Sequence, residues 1–397
     1  LFPTPAGDPD FLTRLEEASG VERLAATLDR KDGTAVPVLV APTRVEFQGR
    51  AGWILVLREE GGALPGTARA VADEGEEDLG APLRSVRPLA AALLASEVEA
   101  RAVTRLIAGV SSGLARRLVA RRLADMGPPP VPFVLLAFGS EARGERTLLS
   151  DQDNGLVHAD PPPGEEKRVE EYFRRLAGAV CDDLARAGYA HCRGETMARH
   201  PKWRRPLGAW KDYFAAWVGE PNPEELLRFN IFFDRLPLAG DPALADALEK
   251  HVDGLLAAAP SFYFHLAANT LRYRPPLGLF GGITTDDPTG EAGAIDLKEA
   301  LLPIVGFARL YALRHRITAL GTVDRLERLG AAGVLPADLV ASIIAAHETL
   351  MRLRLLHQIA TPVGLDERES SRLVLADLPP ADRQALEAAL RRLAALQ

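Results

Sequence analysis

Cysteine is scarce: the 397-residue chain holds Cys181 and Cys192, and they form no CxxC pair. Their contexts argue against a disulfide framework or a zinc site, and they fit a reducing cytosol. His191 and His200 also lack the spacing of a metal-ligand pair. No apolar run reaches the ~18 residues of a membrane-crossing helix, and no segment has the build of a signal peptide. A cytoplasmic protein with no membrane partner is therefore expected. Basic runs are missing too. Lys and Arg number 47 against 54 Asp and Glu, for a net charge of −7, which argues against a general nucleic-acid-binding surface. No internal repeat is evident. The chain begins at Leu1 rather than Met, as expected of a fragment or a trimmed chain.

What is present suits a globular protein. Hydrophobic residues make up 47% and charged residues 25%, so nothing limits the core, and the length allows two or three domains. Residues 1–63 read as a short helical piece and then strands, with "AVPVLVAPTRVEF" and "GWILVLRE" as the strands and "RKDG" and "FQGR" at the turns. Residues 64–80 are acidic and Gly-rich, an expected linker. Residues 81–128 form a helical connector with a Leu/Ala stripe, which suits a scaffold helix or a homodimer contact.

"MGPPPVP" breaks the chain before the next domain, 129–241. There "FVLLAF" reads as a buried strand, with further strands expected at 151–158, around "AHCR" and in "FNIFFDRLPL". "EEKRVEEYFRRLAGAVCDDLARAG" and "GAWKDYFAAWVG" read as helices, so a small mixed α/β sheet is expected. Residues 242–397 are nearly all helical, interrupted by the long loop "RPPLGLFGGITTDDPTGEAG", which is longer than a scaffold needs.

The densest polar chemistry follows "FVLLAF" directly, in "GSEARGERTLLSDQDN" (139–154). Gly139 permits close backbone approach. Ser140 offers a hydroxyl and an N–H at a helical turn suited to phosphate. Arg143 and Arg146 are placed to reach the same anion. Residues two apart on a strand share a face, so Asp151 and Asp153 project together and Gln152 faces away. Paired carboxylates repel and perturb each other's ionisation. A divalent cation relieves this, and an oxygen-only donor set suits Mg²⁺. Asp234, alone in an apolar strand, reads as a third acid or as the partner of an arginine.

This stretch resembles the Gly-Ser…Asp-x-Asp signature of the DNA polymerase β-like nucleotidyltransferase superfamily. More narrowly, it is similar to the catalytic domain of bacterial PII-protein uridylyltransferases. It resembles more strongly still a bacterial group with the pattern GSE-x-R-x-E-x-T-L-x-x-D-Q-D-N, often joined to sensor domains. "HPKWRRPLGAWKDYF", "FFDRLPLAGD", "IDLKEALLPIVGFARLYAL" and "GTVDRLERL" extend the likeness over roughly 85–397. Residues 28–60 look like the last three strands of a PAS sensor domain.

The resemblance implies a polymerase β-type mixed-sheet domain followed by a helical, substrate-binding bundle. It implies that Gly139, Ser140, Arg143 and Arg146 hold a nucleoside triphosphate. Asp151, Asp153 and Asp234 would bind two Mg²⁺, and Asp234 would help activate the acceptor hydroxyl. The reaction implied is transfer of UMP or AMP to a protein or small-molecule acceptor with release of pyrophosphate. The likeness does not extend to the hydrolase and regulatory segments of the PII enzymes, so the acceptor stays open. A non-catalytic nucleotide-binding signalling module is the alternative, and an adenylyltransferase of the antibiotic-modifying type shares the two-domain plan.

Outside the motif, Lys202, Trp203 and Lys211 form a polar and aromatic group that suits either a nucleotide or acceptor contact or packing at the sheet edge. Arg309 stands out on an apolar helix, as an ion pair or a cleft residue. Asp296 suits a helix cap. His158 suits the core, and Arg325 and Arg354 suit surface or ion-paired positions.

Overall fold

A computed structural model describes the strand backbones at 24–29, 35–47 and 50–59, and residues 79–219, 229–277, 283–284, 293–361 and 367–394. At the N-terminus, β1 (Leu24–Asp29), β2 (Ala35–Phe47) and β3 (Arg50–Glu59) pair antiparallel in the order β1-β2-β3. Asp29 pairs with Ala35 and Phe47 with Arg50, which brackets the expected turns. The turns, the 64–78 linker segment and most of the 274–293 loop lie outside the described residues.

The central sheet is built on β4 (Phe133–Phe138), a strand with all six residues buried. Its order is β6-β5-β4-β7, with β5 at Asn154–His158, β6 at Arg204–Pro206 and β7 at Arg235–Gly240. The β4–β5 and β4–β7 pairs are antiparallel and β5–β6 is parallel, so the sheet is mixed as expected. The continuous apolar run of β4 follows from cover on both faces. Phe133, Leu135 and Ala137 enter one core, and Val134, Leu136 and Phe138 enter the other. The first core is closed by α4 (Glu166–Arg186) and the C-terminal half of α2 (Ala100–Met126). The second is aromatic, with Trp203, Trp210, Phe214, Trp217, Phe232 and Phe262 buried together. It is covered by α5 (Leu207–Gly219), α6 (Pro242–Ala257) and part of α7 (Pro260–Thr270).

A third core joins α1 (Ala81–Ala95) and the N-terminal half of α2 to the C-terminal helices. Those helices are α8 (Leu297–Arg314), α9 (Thr322–Ala331), α10 (Ala337–Ala360) and α11 (Pro380–Ala394). The short β8 (Ala294–Asp296) and β9 (Arg372–Val374) pair at its edge. The connector helix α2 runs through two cores, and α6 and Phe262 of α7 pack on the sheet. The strand expected around "AHCR" is reduced to an isolated bridge between His191 and Gln152, and the one expected in "FNIFFDRLPL" begins late, since Asn230–Phe233 is a 3₁₀ turn before β7. Among the described residues no helix is long and apolar enough to cross a membrane.

One glycine sets how closely the aromatic layer approaches the sheet. A Cβ on Gly155 would lie 2.8 Å from Phe138 and 3.1 Å from Trp210. Both rings are fully buried and have nowhere to retreat. Gly155→Ala is expected to lower stability by about 1–3 kcal/mol through overpacking. Urea unfolding measures this, and an unchanged midpoint would show that the layer can give way.

Candidate active site

The acid pair comes from the segment that leads into β5. The Phe138 N–H donates to the Asp153 carbonyl at 2.9 Å, and the Gln152 N–H donates to Ala190 at 2.9 Å. Gln152 turns inward, and its amide donates to the carbonyls of Tyr189 (2.8 Å) and Cys181 (3.1 Å). With Gln152 fixed on one side, Asp151 and Asp153 fall together on the other. Their carboxylates and the Cys192 thiol have donor atoms within 4.8 Å of one another. Burial, and after it the charge of Asp151, pushes the Asp153 carboxyl up to about 7. Burial and then Glu367 raise Asp151. Burial, and after it the charges of both acids, raise the Cys192 thiol.

Gly139 closes against this pair. Its φ is +58°, and a Cβ there would stand 3.6 Å from Asp153 Oδ2. Its N–H is already spent on the Asp234 carbonyl at 3.1 Å. Backbone donors for a phosphate therefore start at Ser140, which is half-buried at the head of α3 (Gly139–Ala142).

The two arginines of the motif do not face the pair as free cations. Arg146 is buried, pairs with Glu141 at 3.0 Å and donates to the Ser150 carbonyl at 2.8 Å. It also lies over the Tyr189 ring at 4.5 Å. It thus braces the residue that precedes Asp151. Arg143 binds Glu145 at 2.6 Å and Asp234 at 2.8 Å. A phosphate role for either arginine would require breaking these buried pairs, each at a cost of several kcal/mol (~3–5).

Asp234 does not join Asp151 and Asp153 as the third acid. It is fully buried and gathers three arginines: Arg143 and Arg309 on Oδ2, and Arg325 on Oδ1 at 2.7 Å. Burial alone would raise its pKa, but Arg309, Arg325 and Arg143 hold it far below the usual carboxylate range. Glu145 completes the group, accepting from the Thr322 N–H at 2.6 Å at the start of α9. The sheet domain thus contributes Arg143, Glu145 and Asp234, and the helical domain contributes Arg309, Thr322 and Arg325. Arg309 and Arg325 are therefore domain-joining residues, and Arg325 is not at the surface.

Of the remaining candidates, Trp203 is core, 5% exposed and packed on Phe232. Lys202 lies over Trp203 and Phe229. Lys211 lines a separate groove with Lys250 and His251. A cleft of about 450 Å³ opens beside Arg105, Arg116, Asp324 and Arg328, and Asp151 and Asp153 lie outside it. His158 is core, stacked on Phe173. Asp296 caps α8, accepting from the Lys298 and Glu299 N–H groups.

Glu367, which the sequence reading passed over, comes from the helical domain and gathers Lys298 and Arg354. Glu367 accepts from Arg354 at 2.8 Å, pairs with Lys298 and is 3.3 Å from the Ser150 hydroxyl. The one available signal was "IDLK" at the start of α8, where a helix cap sets the lysine's place. Two carboxylates forced together, with Asp153 raised by burial and by Asp151, fit a hard divalent cation.

The two acid clusters should respond oppositely to mutation. Asp234→Asn leaves buried arginines uncompensated and is expected to cost about 3–5 kcal/mol. Asp151→Asn removes a repulsion and is expected to leave stability unchanged or raised at pH 8. Urea unfolding of both variants without added metal checks this, and equal losses would contradict the assignment.

Residues 84–224 match the family model described as "putative nucleotidyltransferase DUF294". Residues 260–397 match the one described as "putative nucleotidyltransferase substrate binding domain". No curated protein matches the chain. The first match spans α1 through the acid pair to α5, and the second holds Arg309, Arg325, Lys298 and Glu367. The chain therefore matches, in order, a putative nucleotidyltransferase domain and a putative nucleotidyltransferase substrate-binding domain.

Proposed function

We propose that the protein is a Mg²⁺-dependent nucleotidyltransferase that moves a nucleoside monophosphate, UMP or AMP, from a nucleoside triphosphate to a protein or small-molecule acceptor. The observation that carries this reading is the Asp151–Asp153 pair, set beside the Gly139–Ser140 turn and raised in pKa by burial and by neighbouring carboxylates. Asp151 and Asp153 would hold the metal, and Ser140 would contact the phosphates. Bound Mg²⁺ would supply charge stabilisation for the phosphoryl oxygens and the leaving pyrophosphate. Gly139 keeps the space beside Asp153 clear. Arg146 and Gln152 fix the backbone on either side of Asp151. Control by an N-terminal sensor, as in signalling relatives of the PII uridylyltransferases, is part of the proposal.

A second reading, a nucleotide-binding signalling module without turnover, is favoured by the withdrawal of Asp234. The three arginines on Asp234 compete with any acceptor hydroxyl for its oxygens. Calorimetry with Mg²⁺ and each of ATP, UTP, GTP and CTP tests the common part. One nucleotide should bind, and Asp151→Asn/Asp153→Asn should abolish that binding. No binding by the folded wild type would sink both readings. Pyrophosphate release then separates them.

The pH dependence of metal binding has a definite sign. A carboxyl whose folded pKa is raised costs the metal-free protein stability as pH climbs from the unfolded value of about 4 through the folded value of about 7. A cation competes with that proton. Mg²⁺ or Mn²⁺ is therefore expected to raise Tm more at pH 8 than at pH 5.5, a contrast lost in Asp153→Asn. An equal shift at both pH values would count against the pair as the metal site.

A further inference from the structure

Lys298 and Glu367 lie beside the acid pair but belong to the helical domain, and no role for either follows from the motif. Asp296 caps α8 by accepting from the N–H groups of Lys298 (2.8 Å) and Glu299 (3.0 Å), so the backbone of Lys298 is fixed. The Lys298 ammonium then pairs with Glu367. Glu367 is itself anchored, by Arg354 at 2.8 Å and at 3.3 Å from the hydroxyl of Ser150, the residue before Asp151. Arg354 is 5% exposed and Glu367 12%, whereas Lys298 keeps 47% of its side chain in solvent. The charges of Lys298 and Glu367 are felt at both Asp151 and Asp153. A buried arginine and carboxylate thus hold one exposed lysine at the rim of the acid pair.

A plain surface ion pair contributes little to stability, and it does not need a buried arginine behind it. A triphosphate arriving at Asp151 and Asp153 brings several negative charges. Lys298 has the exposure and the tether to meet them, because a lysine ammonium can turn from a carboxylate to a phosphate without moving its helix. We infer that Lys298 binds the phosphates of the donor nucleotide, with Glu367 as the positioning carboxylate that keeps it over the site beforehand. This rests on the nucleotidyltransferase reading and deepens it. The helical domain, described as substrate-binding, would close the donor site as well as serve the acceptor.

The test is calorimetry with Mg²⁺ and three probes: the preferred nucleoside triphosphate, its nucleoside and inorganic tripolyphosphate. The proteins are wild type, Lys298→Ala, Lys298→Arg and Glu367→Gln, each checked for an unchanged Tm. Loss of one charge-assisted contact should weaken triphosphate and tripolyphosphate binding on the order of tenfold to a hundredfold in Lys298→Ala. Nucleoside binding should be unmoved. Lys298→Arg should recover most of the loss. Glu367→Gln, which leaves the lysine charged but untethered, should weaken triphosphate binding less than Lys298→Ala does. Unchanged triphosphate affinity in Lys298→Ala, beside a wild type that binds, overturns this inference and leaves the function standing. So does an equal loss for the nucleoside. A wild type that binds neither triphosphate nor tripolyphosphate overturns both.

Discussion

The structure turns on one buried carboxylate. Asp234 sits at full burial with three arginines around it, and those arginines come from the signature loop, α8 and α9. Each guanidinium would be costly to bury alone. Together with Asp234 and Glu145 they become tolerable, but only if the sheet and helical domains meet in one arrangement. The Asp234 carbonyl also takes the Gly139 N–H, so the same residue fixes the turn beside the acid pair. Domain packing and site geometry therefore share a support. The ion cluster adds little net stability by itself. What it supplies is registry.

Around that support the site keeps a deliberate imbalance. Asp151 and Asp153 are held on one side by a strand lead-in whose middle residue is locked the other way by two carbonyls. Such repulsion is a cost in the empty protein, and it persists because the rest of the fold over-determines it. The contrast with Asp234 is instructive. Asp151 and Asp153 are raised by burial and neighbouring carboxylates, while Asp234 is lowered by the three arginines around it.

Short-range features were legible in the sequence. The alternation of Asp151, Gln152 and Asp153 follows from strand geometry, the buried run of β4 from its composition, and the Asp296 cap from its place before an apolar helix. What failed was long-range. Asp234 reads as a third acid or an arginine's partner, and nothing local says that its partners include Arg309, 75 residues away. Arg143 and Arg146 look like free phosphate ligands until the folded chain delivers Glu145, Asp234 and Glu141 to them. The role of Glu367 is invisible for the same reason, since its position depends on α8 and α10 meeting the sheet domain. The division of α2 between two cores also escapes a periodicity reading, which marks an apolar stripe but not what covers each half of it.

That divided helix bears on how the protein comes to be made. Residues such as Leu93 and Ile107 share their core with Leu148, yet most of the side chains outside α1 and α2 that cover them begin at Ile295. At ~5–20 residues per second, the apolar stripe stays mostly uncovered on the nascent chain for roughly ten to forty seconds. During that interval the first half of α2 is a target for chaperones or for a neighbouring copy. The sheet domain can collapse behind it, but the site beside the Gly139 turn is complete only when the last helices arrive.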